Sequence, residues 1–119
     1  MKFLCLGYYD EKKFAALPKP EVDALVRQCQ THDETLRNSG HLVLVASLAA
    51  TKDTASIRPK HGVPTVTDGP YAETVEQLTG FYVVRSDDLD DLLDVCGVLA
   101  DGDGAVEVRA CVPPQQGGA

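Results

Sequence analysis

Tryptophan is absent, and Phe and Tyr together number seven among 119 residues. The core must therefore be built from Leu, Val and Ala rather than from large rings. Bases are scarce as well: 11 Lys and Arg stand against 18 Asp and Glu, for a net charge of −7. A nucleic-acid footprint needs clustered positive charge, and an anionic membrane surface attracts it, so neither partner is expected. No apolar run approaches the roughly 20 residues that a membrane-spanning helix needs. The opening Met1-Lys2-Phe3-Leu4-Cys5-Leu6-Gly7 gives way at once to Tyr8-Tyr9-Asp10-Glu11-Lys12-Lys13, with no small-residue cleavage site. A buried first strand is expected there in place of a secretion signal.

Paired cysteine motifs are missing too. Cys5, Cys29, Cys96 and Cys111 form no Cys-x-x-Cys pair and none adjoins a His, which argues against a zinc site or a redox motif. Reduced, mostly buried thiols in a reducing cytoplasm are the simplest expectation. There is no glycine-rich phosphate loop, serine nucleophile elbow or Walker-type pattern, so neither a cofactor nor a metal is expected.

What is present reads as one domain over residues 1–112, followed by a flexible tail at 113–119. Residues 2–9 are apolar and read as a strand, and residues 10–20 as a loop rich in Lys and Pro. A helix follows, opened by Pro20 and Glu21 and carrying Val22, Leu25, Val26, Cys29 and Leu36 on one stripe. Gly40 is suited to its left-handed cap. Residues 41–50 form a second strand, and within the polar stretch 51–67 a strand or a hairpin is expected around Lys60-His61-Gly62. Residues 77–86 are β-branched and aromatic, as in a strand. A second helix follows Ser86 as N-cap, with a stripe of Leu89, Leu92, Leu93, Cys96 and Leu99, and 101–104 make a turn. Residues 105–112 alternate as a last strand, with Val106, Val108, Ala110 and Val112 on one face and Glu107 and Arg109 on the other.

Strands with two amphipathic helices predict a ferredoxin-like α+β unit, an antiparallel sheet with both helices on one face. The strands at 41–50 and 77–84 are apolar on both alternating sets, so the other face needs a cover. A second copy is the expected cover, giving a homodimer with an α+β barrel between its sheets. Glu107 and Arg109 would then face the dimer cleft.

Candidate chemistry centres on 66–84. Asp68-Gly69-Pro70-Tyr71 is a turn signal, with Asp68 expected to cap the turn and Gly69 to take a positive φ. Asp68 could also serve as a base or ligand contact at a cleft mouth. Glu73 and Glu76, three residues apart, would share one side of a helical turn at 71–77. His32 falls at the flank of the first helix's stripe and Asp33 nearer its centre, so that an acid there needs a partner. The sharper expectation is a cofactor-independent enzyme for a small compound, with Asp68, His32 and Arg109 as acid, base and anion-holding groups. The other is a non-catalytic binding or regulatory module presenting Tyr71, Tyr82, Glu73 and Glu107 to a ligand.

The stretch from Val66 to Val84, the acidic helix after it and Val106-Glu107-Val108-Arg109 together resemble the DGPF-domain proteins, a branch of the YCII-related family. The resemblance runs from the first strand to about residue 112, with Tyr71 where the family usually has Phe. It implies a ferredoxin-like dimeric α+β barrel and a largely unknown role. It further implies a relation to small enzymes acting on aromatic or halogenated compounds, for which a His and an Asp have been proposed, or to proteins encoded beside sigma factors.

Overall fold

The computed structural model describes residues 1–38, 41–99 and 104–113. Its elements run β1 (Lys2–Asp10), α1 (Glu11–Ala16), α2 (Lys19–Asn38), β2 (Leu42–Ser47), β3 (Ala55–Lys60), β4 (Val63–Asp68), β5 (Glu76–Arg85), α3 (Leu89–Leu99) and β6 (Ala105–Ala110), with a 3-10 turn at Thr51–Asp53. Four strands make an antiparallel sheet in the order β2-β5-β1-β6, and β3 pairs only with β4.

The register explains how both faces of this sheet are apolar. On one face, cross-strand partners form the rows Leu42–Val84–Phe3–Ala110 and Val45–Tyr82–Cys5–Val108. On the other they form Leu44–Val83–Leu4–Arg109 and Ala46–Phe81–Leu6–Glu107. An irregularity between Leu42 and Leu44 sends these two leucines to opposite faces, which strict alternation would not. The first face holds the core: Phe3, Cys5 and Val84 are buried with Leu92 and Cys96 of α3, flanked by Leu42, Tyr82, Val106 and Val108. His32 of α2 meets Tyr82 on the same face, so both long helices cover one side. The Val side of β6 faces the helices as its alternation predicts, and Glu107 and Arg109 face away. The molecule is 18 Å across its thinnest axis, the depth of one sheet and one layer of helices.

Four local features depart from the sequence reading. Residues 11–16 are helical rather than loop. Asp10 caps α1 by accepting from the backbone N–H groups of Lys12 and Lys13, and Tyr9 packs edge-on against Phe14 with ring centroids 5.9 Å apart. That is a hydrophobic staple between the residue before the cap and the fourth helical residue. The N-cap of α3 is Asp88, not Ser86: the Asp91 N–H donates to Asp88 Oδ1 at 3.1 Å, while the Ser86 hydroxyl oxygen accepts from Asp88 N–H just outside the helix. Cys5 and Cys96 are buried free thiols but Cys29 and Cys111 are exposed, so only half the cysteines lie inside. Residues 71–75 are not helical and β5 begins at Glu76, so Glu73 and Glu76 do not share a helical face. The expected cap at Gly40, the turn at 101–103 and the tail from 114 lie outside the described residues.

Candidate functional site

Helix α2 brings the chemistry to the sheet. Its inward stripe passes through Val22, Leu25 and Leu36, and also through His32, which keeps only 7% of its surface exposed. His32 is thus central to the stripe and Asp33 is the half-buried flank, the reverse of the helical-wheel expectation. The positions 22, 25, 32 and 36 are spaced by three, seven and four residues, the repeat of one helical face, while Cys29 between them stays exposed.

Beneath α2, the His32 ring stands edge-on to Tyr82 at 6.1 Å between centroids. Burial first, then the hydrogen bond to Asp33 and its negative charge, push the Tyr82 phenol above its ordinary range, so it stays protonated. Burial also holds the His32 imidazole below its ordinary value, outweighing the opposing pull of the Asp33 carboxylate. His32 is therefore neutral at neutral pH. Because the unfolded chain binds this proton more readily, the linked stability is present above the unfolded pKa and is lost as pH falls below about 6.5.

Two polar atoms in this group are buried with no hydrogen-bond partner among the described residues, His32 Nε2 and Asp33 Oδ1. A buried polar atom without a partner costs about 1–3 kcal/mol, and folded proteins keep very few. An open groove of about 430 Å3 runs beside His32 between α2 and α3, lined by Gln28, Thr31, His32, Thr35 and Val95. A smaller hollow of about 140 Å3 continues the seam past Thr35 and Val95 toward Leu36 and Leu92. Deeper still, Cys5 and Cys96 bring their sulfurs to 3.7 Å. The hydrogen bond to Cys96, then burial, raise the Cys5 thiol far above its ordinary range, which leaves it a poor nucleophile. Among the described residues, no group of three or more His, Cys, Asp or Glu could hold a metal ion.

The other expected site residues fall elsewhere. Arg109 and Glu107 form an ion pair of 3.2 Å on the sheet face away from α2. Asp68, Tyr71 and Glu73 lie at the base of the β3–β4 hairpin and are exposed. A single chain thus joins His32 to Tyr82, and Glu107 to Arg109, but does not gather Asp68, His32 and Arg109 at one point.

Asp-Gly-Pro-Tyr proves to be a brace. The chain turns at Gly69 with φ +96, and the segment folds back over β3. Gly69 N–H donates to Thr54 O at 2.6 Å, and Ser56 Oγ donates to Gly69 O at 2.7 Å. The Arg58 guanidinium donates to Tyr71 O at 2.9 Å and stands 5.0 Å over the Tyr71 ring. No hydrogen bond to the Asp68 carboxylate is present among the described residues, so it does not cap the turn as expected; Gly69 and Ser56 hold it. Gly69→Ala should cost about 1 kcal/mol or more through its backbone angle, since nothing lies within 4 Å of the added methyl. Asp68→Asn and Asp68→Ala should each stay within about 0.5 kcal/mol of the parent in urea unfolding. A large loss from Asp68→Ala alone would restore the capping role.

Residues 1–112 match the YCII-related domain. The chain belongs to the YCII-related family. An uncharacterized protein of Rhizobium meliloti (strain 1021) is 36% identical to it over 112 residues, covering 92% of this chain and 90% of that one. The match takes in α2, the sheet and the Asp-Gly-Pro-Tyr brace of this YCII-related chain alike. The partnership of Asp33 with Tyr82 was not visible in the sequence, because the two are 49 positions apart and meet only through the sheet. An acid placed near the centre of an apolar helical stripe, with a histidine at its flank, was the only local signal of it. No described helix of the chain is long and apolar enough to cross a membrane.

Proposed function

We propose that this YCII-related protein is a homodimer of ferredoxin-like units whose open sheet faces close into an α+β barrel, and that each copy binds a small organic molecule at His32, Asp33 and Tyr82. The observation that carries the site is the buried, unpartnered His32 Nε2 in the wall of a groove between two helices, with Asp33 Oδ1, also buried and unpartnered, on the next residue. A ligand hydroxyl or amine in the groove can supply the hydrogen bond that His32 lacks. The three side chains also form a polar set: a neutral imidazole able to take a proton, a phenol held protonated and able to donate a hydrogen bond, and a carboxylate orienting it. Proton transfer on a bound aromatic or hydroxylated compound, without a cofactor, is the reaction this set suits. Arg109 and Glu107, at the ends of the two apolar rows, belong in this reading to the dimer cleft.

The dimer is supported by the two apolar rows of the open face, Leu44–Val83–Leu4 and Ala46–Phe81–Leu6. A second reading, a non-catalytic binding or regulatory module, is favoured by Tyr71, 74% exposed, with Val75, 76% exposed, on one loop.

Titration with phenol, 4-chlorophenol and catechol, followed by NMR of the histidine ring protons and the backbone amides, separates the two. On the site reading, the His32 ring signals shift with added ligand, titrate below the ordinary imidazole value, and lose their response in Asp33→Asn. Shifts confined to residues 71–75 would move the function to the loop, and a His32 ring that titrates normally and ignores all three compounds would end the site proposal.

A further inference from the structure

The β3–β4 hairpin is amphipathic in the wrong sense for a lone chain. Ile57 stands opposite Val66, and Pro59 opposite Pro64, on one face. That face is bare, with Ile57 67% and Val66 64% exposed. On the opposite face Ser56 is buried where the Gly69–Tyr71 segment braces it, and Arg58 donates to the same segment, while Val63 near the turn is exposed. Among the described residues the hairpin bonds to no strand of the main sheet. An isolated two-stranded hairpin is marginal in water, yet this one is specified closely. Its turn, His61 at φ 52 followed by Gly62 at φ 79, has the two positive angles of a tight hairpin connection that matches the strand twist.

We infer that this hairpin is an arm that packs its Ile57–Val66 face onto the second copy of the chain. The inference rests on the homodimer proposed above. Two features point to a second copy as the occupant. The hairpin carries Arg58 and Lys60 against a single acid, Asp68 at its base, so it is a basic projection from a chain of net charge −7, and an identical acidic body complements it. Pro59 and Pro64 remove backbone donors from both strands, which disfavours capture of an extended peptide by strand addition and favours contact through the side-chain face. The arm then adds a clasp to the sheet-to-sheet contact, and steady attraction between basic arm and acidic body makes it salt-sensitive.

The test compares sedimentation equilibrium of the full-length protein, the double variant Ile57→Glu with Val66→Glu, and Val83→Glu on the open sheet face. The arm variant is expected to keep its circular dichroism spectrum and to dissociate with a constant raised about tenfold or more. The parent should also dissociate more readily at high salt. An arm variant that dimerises as the parent does overturns the arm while leaving the sheet contact standing. A monomeric arm variant alongside a fully dimeric Val83→Glu keeps the arm and overturns the sheet contact, and a parent that is monomeric at every concentration overturns both. If the arm variant fails to fold, hydrogen exchange of the parent decides. Amides of 55–68 should exchange more slowly as protein concentration rises through the dissociation constant, and exchange independent of concentration overturns the inference.

Discussion

Val83→Glu is expected to convert a particle of about twice 12.8 kDa into monomers at micromolar concentration. Val83 lies between Leu44 and Leu4 in one row of the open face, next to the row of Ala46, Phe81 and Leu6. Closing that face on a second copy would strand a carboxylate among aliphatic side chains, and an unpaired charge in such a place costs several kcal/mol. A loss of about 3 kcal/mol raises a dissociation constant more than a hundredfold. In the separated chain the same carboxylate reaches water, so the monomer should keep its secondary structure. Sedimentation velocity with circular dichroism reads both quantities together. A variant that remains dimeric at the parent's affinity would remove the sheet face from the interface.

Leu92→Ala should cost about 2–5 kcal/mol, whereas Leu93→Ala, one residue on, should cost under about 1 kcal/mol. Leu92 keeps 5% of its surface and packs against Phe3, Cys5 and Val84, while Leu93 is 46% exposed. The buried apolar core of the described residues is small, comprising Phe3, Cys5, Leu36, Val84, Leu92 and Cys96. A cavity at its centre therefore removes a large fraction of the 5–15 kcal/mol that ordinarily holds a domain. Urea midpoints at unchanged slope measure both losses. Equal losses at the two positions would mean that α3 presents a different edge to the sheet.

The sequence reading treated Leu92 and Leu93 as one stripe, and the reason for the difference is general. Periodicity marks which third of a helix is apolar, but the curvature of the sheet beneath decides which edge of that third is covered. The long elements were legible for the same reason that their edges were not. Helix α2 has twenty residues of consistent spacing, and the turn at His61-Gly62 is local backbone chemistry. Helix α1 was missed because six residues between Asp10 and Pro18 are too few for a period to register. Its signature lay in the capping Asp10 and the Tyr9–Phe14 pair. At α3, Ser86 and Asp88 are both good caps, and only the path of the chain out of β5 selects between them. His32 could be named from the sequence, but its burial could not be, because a histidine on a helical stripe becomes a core residue only when an opposing surface accepts its polar atoms. Asp68 shows the converse. Its motif is specific, but the specificity resides in Gly69, and the hydrogen bonds come from Ser56 and Arg58 thirteen residues upstream of their acceptors.

The central position of β1 bears on how the chain is made. Lys2–Asp10 is made before every other element of the domain, yet its two neighbours in the sheet are β5 and β6, of which the second ends at Ala110. At about 5–20 residues per second, roughly 5–20 seconds of synthesis separate this strand from its last partner. Until β5 is made, Phe3, Leu4, Cys5 and Leu6 have both backbone edges open, and one edge stays open until β6 follows. The nascent chain thus offers chaperones an apolar strand ahead of its partners, and folding must wait for long-range pairing rather than proceed in step with synthesis.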